Sequence, residues 1–439
     1  MIKFSFDQEA ERKNAMYKHL FCQKFLQNAL PLTLHKKRRA CFSRVLTSLL
    51  GDDIQLSVSE IGRRLEGNIA LKHKSKCADR FVGNRGIVDD IQDICKTTAH
   101  FLFADYPSLY IIVDWTGACL KGWHILQASV VYQGRSLPLY YEIHSEKAAQ
   151  TKEVQNQFLS RLKDILPKKL HAIILTDAGF HREWFLQVKH LGWDAIGRVY
   201  SRYQYRKLSE TSWKKVSKVP FSRRGESYSL GLVELGKSKK SIEGILSTYK
   251  PRLSKVVHKK NKYPDHEKAY SKQYRQGWVI FSTLNWAPQK IVLFYGKRMQ
   301  IEQNFRDIKN EIYGLGLRRN RSTQSERVMM LYFTGMMLNL MLWWIGLMTE
   351  VQGRHRAYQA NTRRDRRIIS LVHLGRLVVR HNPQQLVWHE FIKLKKRLGE
   401  IYTHLVEIGI MEALCIKVEP RIGLYLRVRN KEQQCVGYR

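Results

Sequence analysis

Acidic residues are scarce in this chain of 439, where 38 Asp and Glu face 76 Lys and Arg for a formal charge of +38. Self-repulsion on that scale opposes compaction, so the natural partner is a polyanion that neutralises it. The seven cysteines (22, 41, 77, 95, 119, 415 and 435) form no Cys-x-x-Cys pair and have no histidine at zinc-finger spacing. Small zinc modules are thereby excluded, and an odd, scattered set fits reduced thiols in a cytoplasm. The N-terminus, Met-Ile-Lys-Phe-Ser-Phe-Asp, lacks the basic-then-apolar layout of a secretory signal. No internal repeat or low-complexity tract is visible, so the chain reads as successive globular regions. Long apolar runs are absent too, with one exception. Val328 to Met348 carries no charge and is long enough to span a bilayer. It contains Thr334 and Asn339, is bounded by Arg327 and Glu350, and has no clean companion. A core helix buried on all sides is therefore expected, and no membrane partner.

What is present divides the chain by character. Residues 1–105 read as mostly helical. In Leu56-Ser-Val-Ser-Glu-Ile-Gly-Arg-Arg-Leu65, Ser59 is the expected N-cap, and Ile61 and Leu65 lie one turn apart. A basic helix is predicted from Lys72 to Gly83, carrying Lys72, Lys74, Lys76 and Arg80. The pair fits a helix-turn-helix, and equally a solvated basic helix pair. In 106–203 the pattern turns strand-like: Tyr110-Ile-Ile-Val113 leads into Asp114, and two further strands flank a turn at Gln133-Gly-Arg-Ser136. A helix with Phe158, Leu159, Leu162 and Ile165 follows, then Ala172-Ile-Ile-Leu175 before Asp177. Three strands, a helix and a strand ending in a carboxylate is the order of an RNase H-like α/β domain. Residues 204–288 read as a β-rich insertion, with a basic loop from Lys250 to Tyr263. The segment 289–350 adds a long helix over about 293–313 and the uncharged helix, and 351–439 reads as a largely helical, basic C-terminal region.

Most of the acidic residues belong to solvated surface. Asp114 and Asp177 differ, because each directly follows, or nearly follows, a buried-type strand. Carboxylates at the ends of adjacent strands can converge on a divalent cation, a hard ion that takes oxygen ligands, and two such ions can clamp the oxygens of a phosphodiester. A structural strand-end aspartate reads the same way. The helix around residue 300 places Tyr295, Arg298, Glu302 and Lys309 within about 60° of one another at roughly 100° per residue. Phe294, Ile301, Phe305, Ile308 and Ile312 form an apolar stripe beside them. A carboxylate between two cations suits a metal ligand next to phosphates; an ordinary salt-bridged helix face is the alternative.

Together these residues resemble a known group. Asp114, Asp177-x-Gly-Phe180 and the Tyr-(2)-Arg-(3)-Glu-(6)-Lys spacing of 295–309 are similar to the bacterial insertion-sequence-4 family of DDE transposases, transposon-ten type. Tyr-x-Lys-Arg-Met-Gln-Ile-Glu302, Tyr313-Gly-Leu-Gly-Leu-Arg318 and Gln359-Ala-Asn-Thr362 carry the likeness further. So does Leu65 followed by Lys72-His73 and Asp79-Arg80. The resemblance covers most of the chain from about residue 50. It implies an RNase H-like core interrupted by a β insertion, with two Mg²⁺ (Mn²⁺ as substitute) on Asp114, Asp177 and Glu302. Tyr295, Arg298 and Lys309 would contact the phosphates of double-stranded DNA, and Trp278 would stack on a displaced base, although a core strand tryptophan is the plain alternative. The implied activity is cut-and-paste transposition through a hairpin, by a homodimer acting on nucleoid DNA. A structure-specific nuclease and a non-catalytic DNA-binding regulator remain as rival readings. Gly231-Leu-Val-Glu-Leu-Gly-Lys-Ser238 satisfies a P-loop pattern, but its bulky middle predicts a strand and no nucleotide site.

Overall fold

The computed structural model describes residues 2–51, 54–149, 151–237, 241–252, 277–360 and 366–408. Six helices come first: α1 (Ile2–Ala29), α2 (Lys36–Leu49), α3 (Val58–Arg64), α4 (Leu71–Val82), α5 (Arg85–Asp89) and α6 (Ile91–Phe103). The cap of α3 is Ser57, whose hydroxyl accepts from the Glu60 amide at 3.3 Å, and not Ser59 as the pattern suggested. Ser57 takes the role because Glu60 stands three residues on, the spacing of a capping box. At Gly62, α3 meets α4 so closely that a Cβ would lie 2.9 Å from the Ser75 Cα. Only glycine permits that approach.

Strands β1 (Ser108–Gly117), β2 (Trp123–Val131) and β3 (Ser136–Ser145) form an antiparallel meander. After α7 (Lys152–Ile165), β4 (His171–Thr176) returns parallel to β1, and after α8 (Arg182–His190), β5 (Asp194–Arg198) returns parallel to β4. Strands β1 and β4 are buried on both faces, as the continuous apolar runs require.

The insertion does not form a separate sheet. Strands β6 (Gln204–Lys207), β7 (Lys214–Lys215), β8 (Ser227–Leu235) and β9 (Ile242–Tyr249) reach the core through β10 (Trp278–Ser282), which pairs antiparallel with both β5 and β9. The result is one mixed ten-stranded sheet in the order β3-β2-β1-β4-β5-β10-β9-β8-β6-β7. Most of the basic tract 250–263 and part of the Gln359-to-Thr362 motif lie outside the described residues.

The uncharged segment is a single helix, Ser325–Val351, and 94% of its most apolar window is buried in protein. By length and composition it could cross a membrane. Its apolar circumference has a different explanation, because three regions pack on it. Phe42 of α2 stacks on Phe333 at 5.4 Å, the Tyr141 hydroxyl of β3 donates to the Met329 carbonyl at 2.5 Å, and Phe391 of helix Trp388–Ile408 meets Trp344 at 5.1 Å. A helix enclosed on every side needs no polar face.

Candidate active site

Asp114 lies inside β1 and not at its end, three residues before the strand closes. Asp177 directly follows β4. Because Ile112 pairs with Leu175 in parallel register, the two aspartates stand two residues further along neighbouring strands, side by side. The Asp177 carboxylate accepts from the Gly179 amide at 2.7 Å, which fixes the turn after the strand.

The helix of the third carboxylate is not continuous over 293–313. It comprises Pro288–Lys297 and Gln300–Lys309, separated by a turn at Arg298 and Met299. Its apolar stripe is buried as expected at Phe294, Ile301, Phe305 and Ile308, whereas Ile312 falls beyond the helix end and is 75% exposed. Two polar residues within that buried face, Gln300 and Asn304, were not singled out by the pattern. Gln300 pairs with the Tyr132 backbone, donating to its carbonyl at 2.5 Å and accepting from its amide at 3.1 Å. Asn304 accepts from Gln127 at 2.9 Å, and Gln127 accepts from the Tyr332 hydroxyl at 2.5 Å. Gln127 stands opposite Asp114 on β2. A fully bonded buried network of this kind sets the register of the helix on the sheet, and with it the distance from Glu302 to the aspartates. The signal was present in sequence as Gln and Asn four apart on an apolar face.

Arg298 bridges two of the three acids. Its guanidinium donates to the Asp114 carboxylate at 2.9 Å and reaches Glu302 at 3.5 Å. Burial opposes the charge on Arg298, but the Tyr295 phenol, Asp114, Asp177 and Glu302 around it raise its pKa above the ordinary value. The Asp114 carboxyl is pushed up to about 7 by burial; Arg298 and the Trp115 amide pull it down, while Asp177 and Glu302 push it further up. Asp177 and Glu302 act on the buried Asp114 carboxyl as nearby like charges, which costs free energy unless a cation sits among them. Among the described residues no three His, Cys, Asp or Glu side chains close on one another as a ready metal cage. The guanidinium stands in that role. A donor set made only of carboxylate oxygens, held apart by an arginine, has the chemistry for a hard divalent ion.

The other signature residues are placed less openly than helical spacing suggested. Tyr295 is buried, and burial raises its phenol pKa. Lys309 is 8% exposed and donates to Thr116 and to the Gly117 carbonyl, so it pins the helix to the end of β1. Burial, with Arg318 nearby, lowers the Lys309 pKa to about 8. Trp278, half-buried at the start of β10, meets Tyr295 edge-on at 5.1 Å and Tyr249 at 5.5 Å. With Tyr249 and Tyr295 it forms an aromatic cluster at the start of β10. Of the basic residues on α4, Lys72, Lys76 and Arg80 are exposed at four-residue intervals and Lys74 is half-buried. Gly231 to Leu235 lies in β8, an antiparallel strand, so the P-loop pattern has no cradle at that point.

A model of the transposase DDE domain matches residues 108–340, more than half the chain and the whole of this site. The chain belongs to the transposase DDE-domain family. Membership implies a metal-dependent DNA-cleaving enzyme, and for this DDE transposase the basic excess falls into place as affinity for its substrate. No curated protein matches it. Among solved structures, the piggyBac transposase synaptic complex with hairpin DNA is similar at 12% identity and a TM-score of 0.38, over 93% of this chain and 78% of that one.

Proposed function

We propose that this transposase cuts and pastes its own element as a member of the insertion-sequence-4 family, transposon-ten type, with Asp114, Asp177 and Glu302 as its catalytic carboxylates. The observation that carries the reading is Arg298 bridging Asp114 and Glu302, with Asp177 beside Asp114 on the neighbouring strand. The strand order β3-β2-β1-β4-β5, with its antiparallel meander and parallel returns, supports an RNase H-like core. Two Mg²⁺ ions, or Mn²⁺ in their place, would be held by Asp114, Asp177 and Glu302 and would polarise the phosphodiester while activating the attacking hydroxyl.

In this scheme water nicks one strand at the element's end and frees a 3′-hydroxyl. That hydroxyl attacks the opposite strand, closing a hairpin and releasing the flanking DNA. A second water opens the hairpin, and the 3′ end then joins target DNA. Arg298 shifts from the carboxylates to a backbone phosphate, a group its planar fork fits equally well. Tyr295 backs it from the buried side. Lys309 keeps the Glu302 helix against β1 and acts as a positioning residue as well as a cation near the phosphates. Lys72, Lys76 and Arg80 on α4, with Lys74 beside them, contact the end in a helix-turn-helix arrangement. Two copies bring two ends together in the bacterial cytoplasm, on nucleoid DNA.

A tight hairpin requires a base out of the stack, and an aromatic face can receive it. Trp278, packed on Tyr295 of the signature, is the ring we assign to that role. Trp278→Ala is expected to slow hairpin formation by about tenfold or more while leaving the first nick near wild-type rate, given about 1–3 kcal/mol per stacked base. Gel analysis of end-labelled DNA separates the two products, and equal loss of both would refute the stacking role.

The position of Arg298 carries its own test. As the internal counter-cation of Asp114 and Glu302, it competes with divalent metal while DNA is absent. Arg298→Ala should therefore bind Mn²⁺ several-fold more tightly than wild type in DNA-free solution, measured by electron paramagnetic resonance of free Mn²⁺. Unchanged or weaker Mn²⁺ binding would show that the guanidinium does not occupy the metal's place.

A further inference from the structure

The loop after the Glu302 helix presents two large apolar side chains to solvent, Ile312 at 75% and Tyr313 at 81% exposure. Exposure of this kind in a flexible tip would mean little. Here the backbone is held from several directions. The Asn310 carboxamide oxygen accepts from the amides of both Ile312, at 2.9 Å, and Tyr313, at 2.8 Å. The Leu315 amide donates to the Asp307 carbonyl at 2.7 Å and the Gly316 amide to the Asn310 carbonyl at 2.9 Å. Arg376, itself buried, donates to the carbonyls of Tyr313 and Gly314. A Cβ at Gly314 would lie 2.5–2.9 Å from three carbonyl oxygens, so the turn admits only glycine. Leu315 and Leu317 anchor the far side in the core. A loop this constrained loses little further entropy when its two exposed side chains meet a partner.

The surroundings indicate the partner. Arg318, Arg319 and Arg321 are exposed on the same stretch, and the acidic neighbour, Glu311, is paired with Arg319 at 3.4 Å. Arg318 lies close enough to Lys309 and Cys119 to shift both, which puts the loop beside the tip of β1. Two projecting side chains cannot supply the roughly 800 Å² per partner of a stable protein interface. They do match the apolar wedges that proteins insert between base steps, flanked by arginines on phosphates. We propose that Ile312 and Tyr313 form a rigid wedge that partly unstacks duplex DNA. The wedge would enter the duplex to one side of the scissile phosphate, because it lies beyond the end of the Glu302 helix. This rests on the reading of the carboxylate site as one that holds a DNA end.

The test places 2-aminopurine at successive positions of a duplex carrying the element's terminal repeat and adds full-length protein in EDTA. Wild-type protein should raise the fluorescence several-fold at one or two adjacent positions away from the cleavage point. The double variant Ile312→Ala, Tyr313→Ala should bind the duplex and lose that rise, while the signal from a base displaced at the cleavage point persists. A rise unchanged in the double variant, or no rise at any interior position with wild type bound, would overturn the wedge. So would loss of a DNA-free dimer in the variant, because the side chains would then face a second copy. Cleavage by wild type after addition of Mg²⁺ is read separately, so failure of the wedge is distinguishable from failure of the catalytic assignment. Circular dichroism confirms that the variant folds, as expected for two exposed positions.

Discussion

Glu302→Gln is expected to bind the element's ends as wild type does and to break no strand, with nicking reduced at least about a thousandfold. The side chain is 45% exposed, and its one polar contact among the described residues is the long one to Arg298, so the amide introduces no packing defect. What it removes is one negative charge from the three that converge beside β1 and β4. Binding comes mainly from the excess of basic residues, which one neutralised acid leaves intact. Asp177→Asn should behave in the same way, because its carboxylate oxygen on the Gly179 amide is replaced by the amide oxygen of Asn. The check is a gel-shift titration beside a single-turnover cleavage gel. Residual nicking near wild-type rate in Glu302→Gln would mean that the third ligand is another residue.

The second large effect is on stability. Helix Ser325–Val351 crosses helix Leu371–His381 at two glycines, with a Cβ at Gly346 falling inside the Leu371 carbonyl and one at Gly375 inside that of Leu342. Neither obstacle is a side-chain end that can rotate away; both are helix backbone. Gly346→Ala must therefore push the two helices apart. The strain of overpacking, at about 3 kcal/mol, outweighs the gain of roughly 1 kcal/mol from replacing a helical glycine, leaving about 2 kcal/mol of destabilisation. The thermal midpoint should fall by about 2 °C, given roughly 2.1 cal/mol/K of unfolding entropy per residue. Gly296→Ala makes the control, because nothing lies within 4 Å of its Cβ position and it sits in helix Pro288–Lys297. Its midpoint should hold or rise. If Gly346→Ala matched Gly296→Ala, the close crossing would not exist. The consequence extends to the site, since Tyr332 on the same helix holds Gln127, and Gln127 holds Asn304 beside Glu302.

Local pattern was enough for the elements of the core and not for their relations. The apolar runs before Asp114 and Asp177 are strands because both faces are buried, and a run buried on both faces is visible in sequence. Helical spacing correctly buried Phe294, Ile301, Phe305 and Ile308, but it treated a bent helix as straight. It therefore projected Lys309 and Tyr295 outward, where contacts with β1 and β10 bury them, and Ile312 inward, where the helix has already ended. The insertion was legible as β-rich. That it continues the core sheet through β10 depends on long-range pairing between Ile280 and Arg198, which no local window contains. The meeting of Asp114 with Asp177 needs the parallel register of two strands that β2, β3 and α7 separate along the chain. Sequence pattern raises that meeting as a possibility, and only the register establishes it. Periodicity put Arg298 next to Glu302, but its hydrogen bond to Asp114 on β1 is a long-range contact that no local window contains.

The most direct test of the central claim is a cleavage assay on strand-labelled DNA carrying the element's own terminal repeats, run with Mg²⁺ and with EDTA. The account predicts nicks, then hairpins, then excised ends, all dependent on metal and all absent in Glu302→Gln. Tight binding of those ends with no cleavage in either Mg²⁺ or Mn²⁺ would contradict it.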